Sequence, residues 1–280
     1  MKLHTIDTGL FKLDGGAMFG VVPKSIWQKT NPADENNLCT WAMRCLLVED
    51  GNKLILIDTG IGNKMDPKLA GFYHLHGEAS LTGSIQKLGF TMADITDVFH
   101  THLHFDHCGG SVNYNPSRTK LELAFPNATY WTNPDHYQWA TEPNAREKAS
   151  FLKENIQPFA DSGQMKFTEI DGPSPFSAFN ISYVNGHTDK MMLPVIPYKE
   201  HTLVYTADLI PSVGHLPIPY VMSYDTRPLL TLEEKTLFLQ EAADNNYILF
   251  LEHDFQHECC TVKHTDRGVR LNEVFRLSDV

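Results

Sequence analysis

Between Ile95 and Gly110 the chain passes from a short apolar segment straight into His100-Thr101-His102-Leu103-His104-Phe105-Asp106-His107-Cys108-Gly109-Gly110, and this stretch limits the fold more than any other. On extended backbone, residues two apart face the same side, so His102 and His104 can grip one cation together. After a turn, Asp106 and His107 address a second point. Gly109-Gly110 is expected to permit that turn because glycine tolerates backbone angles that other residues resist. Imidazole and carboxylate suit zinc, iron or manganese. Scattered surface histidines are the bland alternative. Four potential ligands crowded between 102 and 107, at a strand end and before a glycine pair, argue against it.

Two cations need about six or seven ligands, so the run is incomplete by itself. Three further residues stand where an apolar strand stops. His187 follows Ile181–Val184, Asp208 follows Leu203–Thr206, and His253 follows Tyr247–Leu251. Strand ends are a natural place for ligands to converge on one sheet edge.

The surrounding pattern predicts a mixed α/β chain. Trp41–Val48 and Lys53–Asp58 flank Glu49-Asp50-Gly51-Asn52 and read as a hairpin. Ser80–Leu88 reads as a helix stopped by Gly89, and Ile95–Phe99 as a buried strand. Further strands are expected at Ala128–Trp131 and Met165–Glu169. Helices are expected to begin at Asn133-Pro134, and at Thr231, where Thr231 and Glu234 have capping-box spacing. Ile61–Ser80, Thr141–Gln164 and Ile210–Pro228 read as long loops, candidate walls of a substrate pocket. No repeat, low-complexity tract or linker interrupts the chain, so one domain over residues 1–280 is expected.

A formal net charge of -11 argues against a nucleic-acid binder and against binding to an anionic membrane surface. The five cysteines, Cys39, Cys45, Cys108, Cys259 and Cys260, form no disulfide-like spacing and no Cys-x-x-Cys pair. That usage fits a reducing compartment. The N-terminus is too polar for a secretory leader, so a cytoplasmic location is expected.

The run His102-x-His104-x-Asp106-His107, followed by lone His187, Asp208 and His253, resembles the metallo-β-lactamase superfamily. Asp58-Thr59-Gly60 is similar to that family's early strand-end aspartate, so the resemblance covers almost the whole chain. It implies a four-layer αββα sandwich with metals at one edge of its two sheets. It also implies that His102, His104 and His187 hold one cation, that Asp106, His107 and His253 hold a second, and that Asp208 bridges them. The cofactors implied are two divalent ions, zinc first, with iron or manganese as alternatives. The bridging aspartate makes the chain most similar to the lactonase-like and organophosphate-hydrolase-like branch. What that branch implies is cleavage of an ester, lactone or phosphoester of a small molecule by a metal-bound hydroxide, with Asp106 guiding the proton. The other readings within the family are a glyoxalase II-like thioester hydrolase and a mononuclear iron dioxygenase resembling the persulfide dioxygenases. A non-catalytic metal-binding module is a further alternative. Oligomeric state, a homodimer included, is not legible.

One position departs from the pattern. Acyl-homoserine lactonases of this family carry a tyrosine three residues after the bridging aspartate, and here that residue is Pro211. His215 and Tyr224 are the candidates to replace its hydroxyl. Asp58, His100 and Asp189 are read as supports behind the ligands, and Cys108 as a packing residue. His74 and His76 are read as loop histidines. Phe72, Tyr73, Trp139 and Tyr220 are candidate pocket aromatics.

Overall fold

The computed structural model describes all residues from Met1 to Val280, and the chain divides into two compact units. The first comprises Met1–Gly9 and Met43–Ala178, and the second comprises Leu10–Ala42 and Phe179–Val280. The class is mixed α/β, as expected. Strands β1 (Lys2–Asp14), β2 (Leu38–Asp50), β3 (Lys53–Ile57), β4 (Asp97–Phe99), β5 (Val112–Tyr114), β6 (Leu121–Leu123), β7 (Thr129–Thr132) and β8 (Met165–Phe167) come first along the chain. They form a sheet of order β1-β2-β3-β4-β7-β8 and a separate β5-β6 hairpin. The predicted β2-β3 hairpin is present, with Asp50 opposite Lys53 and Gly51 at a φ of 59° that suits glycine. From β3 to β8 the pairing is parallel, and β4 is buried along its length. Val98 and Phe99 supply the apolar residues that a parallel interior strand requires, and Asp97 at its start is held by Lys53, Thr96 and Trp131. Beside it, Leu56, Val98, Phe125, Tyr130 and Phe159 form a core with almost no exposure.

In the second unit β9 (Asn180–Val184), β10 (Met191–Tyr198), β11 (His201–Tyr205), β12 (Ile248–Phe250), β13 (Cys259–Thr265) and β14 (Gly268–Phe275) form a sheet of order β14-β13-β12-β11-β10-β9. Only β11 and β12 run parallel in it. Leu193, Ile196, Val204, Tyr205, Leu249 and Phe250 are buried there.

The helix at 80–88 forms as Leu81–Lys87, capped by Ser80 and followed by Gly89 at φ 85°. Asn133 caps Pro134–Thr141 by accepting from the His136 amide at 2.8 Å. The helix expected from Thr231 starts earlier, at Pro228, and runs to Asp244. Proline at the first helical position fixes the start one turn upstream, so Thr231 is an interior residue rather than a cap. Two of the expected loops also hold helices, Pro67–Tyr73 inside 61–80 and Lys153–Asp161 inside 141–164. The first is capped by Asp66 and entered through Pro67, a short signal buried in a polar stretch. The third loop carries only the short turn Val213–His215. No helix is long and apolar enough to cross a membrane.

Candidate metal centre

In the first unit the carboxyl ends of the parallel strands supply the site, the usual place for ligands in such sheets. β3 delivers Asp58, β4 delivers His102 through His100 and Thr101, and β7 delivers the helix carrying His136. His104 then starts the single turn Phe105–Cys108, which brings Asp106 and His107 round beside it. Asp58 is fully buried at φ 57°, a left-handed conformation that an aspartate tolerates better than most residues. Its carboxylate accepts from the Thr101 amide at 2.8 Å, the Thr101 hydroxyl at 2.6 Å and His107 Nδ1 at 3.1 Å. It thereby ties two ligand-bearing segments together, in the supporting role expected for it. His136 Nε2 accepts from the Leu103 amide at 2.9 Å and fixes the backbone between His102 and His104.

The Gly109-Gly110 pair is needed for a different reason from the one expected. Gly109 has an ordinary helical φ of -60°. What neither position can carry is a side chain, since a Cβ would lie 2.2 Å from the Ile61 carbonyl at Gly109 and 2.2 Å from the Thr59 carbonyl at Gly110. Segment 58–64 wraps closely round this turn, with the Thr59 amide donating to the His107 carbonyl at 2.7 Å and Lys64 Nζ donating to the Gly109 carbonyl.

In the second unit three strand ends supply one residue each. Asp208 follows β11 and comes just after Ala207, whose φ of 41° is strained for alanine. Its Oδ2 lies 3.0 Å from His187 Nε2, and its Oδ1 lies 3.2 Å from His253 Nε2. His187 Nδ1 meets Asp225 at 2.8 Å, and His253 Nδ1 donates to the Ala42 carbonyl at 2.8 Å. Burial alone would lower the pKa of His187, but the carboxylates of Asp208 and Asp225 outweigh it and raise it to about 10. Glu234 accepts from the amides of Asn185 and Gly186 at 2.7 and 2.9 Å, bracing the turn before His187.

The donor set fits divalent cations. In each of the five histidines one ring nitrogen is committed to a protein partner, as ligating imidazoles usually are. For His102 that partner is the Thr101 hydroxyl at 3.1 Å, and for His104 it is Glu147 at 3.3 Å. The opposite nitrogens turn toward other donors: His102 Nε2 lies 3.1 Å from His104 Nδ1, and His107 Nε2 lies 3.9 Å from Asp106.

The remaining expectations divide. His215 is buried and stacked on Phe19 at 4.4 Å, and burial pushes its pKa down to about 3. Its Nδ1 lies 2.8 Å from the Ser212 hydroxyl and its Nε2 2.9 Å from the Met18 carbonyl. Both nitrogens are thus engaged in holding the loop, which corrects the reading of His215 as a donor to substrate. Tyr224 is 39% exposed. Asp189 pairs with Arg227 at 2.8 Å, and the carboxylate on His187 is Asp225, for which the loop sequence carries no signal. His100 is buried against the Ser111 hydroxyl at 2.7 Å, and Cys108 is a buried packing residue whose Sγ points to the Leu103 carbonyl. His76 turns back on the His74 carbonyl in an exposed loop. Of the aromatics, Tyr73 packs on Phe105, Trp139 donates to Glu147, Tyr220 meets Phe19 edge-on, and Phe72 is 65% exposed.

Known proteins similar to this chain include metal-dependent hydrolases. The chain is 31% identical over 125 residues to a "probable metallo-hydrolase" of Mycobacterium tuberculosis, and the match spans 39% of each protein. A "probable metal-dependent hydrolase" from Staphylococcus aureus has the same fold, with TM-score 0.84 and 26% identity over 98% of this chain and 96% of that one. AidC, a dizinc quorum-quenching lactonase, superposes with TM-score 0.79 at 24% identity over 98% of this chain and 95% of its own, a likeness of fold. Residues 44–253 match the model of the metallo-β-lactamase superfamily, whose αββα sandwich agrees with the two sheets and their helices, and the chain belongs to that superfamily.

Proposed function

We propose that His102, His104, Asp106, His107, His187, Asp208 and His253 together hold two divalent cations, and that the chain is a cytoplasmic hydrolase acting on an ester, lactone or phosphoester of a small molecule. In this reading residues 1–280 work as one catalytic domain. The observation that carries it is Asp208, whose two oxygens each face the Nε2 of a different histidine. A carboxylate so placed is suited to bridge one cation held by His187 and another held by His253. Zinc is the proposed metal, as in the dizinc relative. When bound, paired cations lower the pKa of a water from about 15.7 towards about 7 and polarise the oxygen of the scissile bond. The chain's own groups orient the ligands and move the proton. Asp58 and Asp225 fix the rings of His107 and His187, and Asp106 passes a proton to the leaving group. Tyr224, on the exposed part of its loop, is the proposed hydroxyl for the substrate carbonyl.

The test is elemental analysis beside a panel of lactones, esters and phosphoesters. The native protein is expected to hold two equivalents of metal. Asp208→Asn is expected to retain at most one and to lose several kcal/mol of transition-state stabilisation, on the order of a thousandfold in rate. Full metal content and full rate in that variant would exclude the bridge. One equivalent of iron in the native protein would favour a dioxygenase instead.

A further inference from the structure

Within the first unit His104 differs from its neighbours in which nitrogen it commits. His107 anchors through Nδ1 to Asp58, whereas His104 anchors through Nε2 to Glu147 Oε1 at 3.3 Å and presents Nδ1 beside His102 Nε2. Glu147 lies in the irregular stretch between the helices Pro134–Thr141 and Lys153–Asp161, yet only 2% of it is exposed. Its Oε2 accepts from Trp139 Nε1 at 2.6 Å and from Asn144 Nδ2 at 2.7 Å. The same stretch touches the ligand turn twice more. The Ser150 carbonyl accepts from the Phe105 amide at 2.9 Å, and the Phe151 ring lies 4.7 Å from that of His104.

We infer that Glu147 is a positioning residue that selects the Nε2–H tautomer of His104 and so keeps Nδ1 available to a metal ion. An ionised carboxylate only accepts hydrogen bonds, and here three N–H groups converge on one. Trp139 and Asn144 are both donors toward Oε2, and His104 Nε2 lies at Oε1. The inference rests on His104 being a ligand, as proposed above, and it concerns the metal group containing His104 alone.

Glutamine makes the distinction from simple packing. In Glu147→Gln the single amide oxygen is claimed by two donors, Trp139 and Asn144. The amide NH2 then faces His104 Nε2, which must become an acceptor, and the ring proton moves to Nδ1, the ligating atom. A misassigned tautomer at a catalytic histidine can be severe even when geometry is preserved. Glu147→Ala lets water accept from Nε2–H instead, so the nearly isosteric variant is expected to be the worse of the two.

The experiment is chelator competition with zinc alone on the full chain, resolving two affinities, together with 15N correlation spectra of the histidine rings in metal-free protein. Glu147→Gln is expected to weaken one zinc at least tenfold, and more than Glu147→Ala does. The second zinc should stay within about twofold, and the His104 spectrum should change from Nε2–H to Nδ1–H. Unchanged zinc affinities, equal weakening of both, or an unchanged tautomer in Glu147→Gln would overturn the inference. If Glu147→Ala does not fold, the tautomer and zinc affinities of Glu147→Gln decide alone. Native protein binding a single zinc would count against the dinuclear reading, while the tautomer measurement would still judge Glu147.

Discussion

The two units build their ligand sets in opposite ways. The first gathers His102, His104, Asp106 and His107 from one short run, and the run is stiffened from outside by Asp58, His136 and the wrapped segment 58–64. The second gathers His187, Asp208 and His253 from three separate strand ends, so their positions follow from the pairing of β9 to β12 rather than from local geometry. Each histidine also receives a different kind of support. Asp58 serves His107 while accepting two hydrogen bonds from Thr101, whereas Asp225 meets His187 at the end of a loop. The difference teaches that a carboxylate behind a metal ligand can be part of the fold in one place and mainly part of the site in another.

That contrast can be broken by removing each carboxylate. Asp58→Ala strands three buried donors, the Thr101 amide, the Thr101 hydroxyl and His107 Nδ1, and each buried donor left without a partner costs about 1–3 kcal/mol. Its metal-free form is therefore expected to melt far earlier than the native protein, or to fail to accumulate, as read by thermal denaturation monitored by circular dichroism. Asp225→Asn leaves His187 the Asp208 carboxylate, so its metal-free form is expected to lose clearly less in melting temperature than Asp58→Ala, while its zinc affinity falls about 10- to 100-fold. Comparable melting losses in both would show that the units do not differ in this way.

How much was legible follows the same division. The run from His102 to His107 was readable because all four donors lie within one local pattern, and the β2-β3 hairpin and Asn133 cap were readable for the same reason. Lone His187, Asp208 and His253 were legible only through strand ends and family pattern, since nothing local separates a ligand from a polar strand terminus. Glu147 and Asp225 were not legible at all, because each acts across tens of residues from a loop with no periodicity. The strands β1, β5, β6, β10, β13 and β14 were also missed. β14 reads GVRLNEVF, mostly polar or exposed, and is held as a strand by its ladder with β13 rather than by an apolar face. The space requirement at Gly109 and Gly110 depends on the approach of residues 59–61, which local turn chemistry does not reveal.

The smallest expected effect sharpens a comparison inside the second unit, where two buried histidines are driven in opposite directions. His187 is raised to about 10 by carboxylates, and His215 is lowered to about 3 by burial against Phe19 and Trp41, which outweighs its hydrogen bond to the Met18 carbonyl. A histidine lowered on folding binds fewer protons in the native state than in the unfolded chain, where its pKa is near 6.5. Stability from this group is therefore intact above the unfolded pKa and falls with acidification, by at most about 1.4 kcal/mol per pH unit, down to the folded pKa near 3. Glutamine can donate to the Met18 carbonyl and accept from Ser212 without titrating. In metal-free protein, His215→Gln should flatten the dependence of the urea midpoint on pH between about 6 and 4, with little change at neutral pH. An unaltered acid slope would mean that protonation of His215 is not part of acid unfolding, and the loop it holds would then open before the ring takes up its proton.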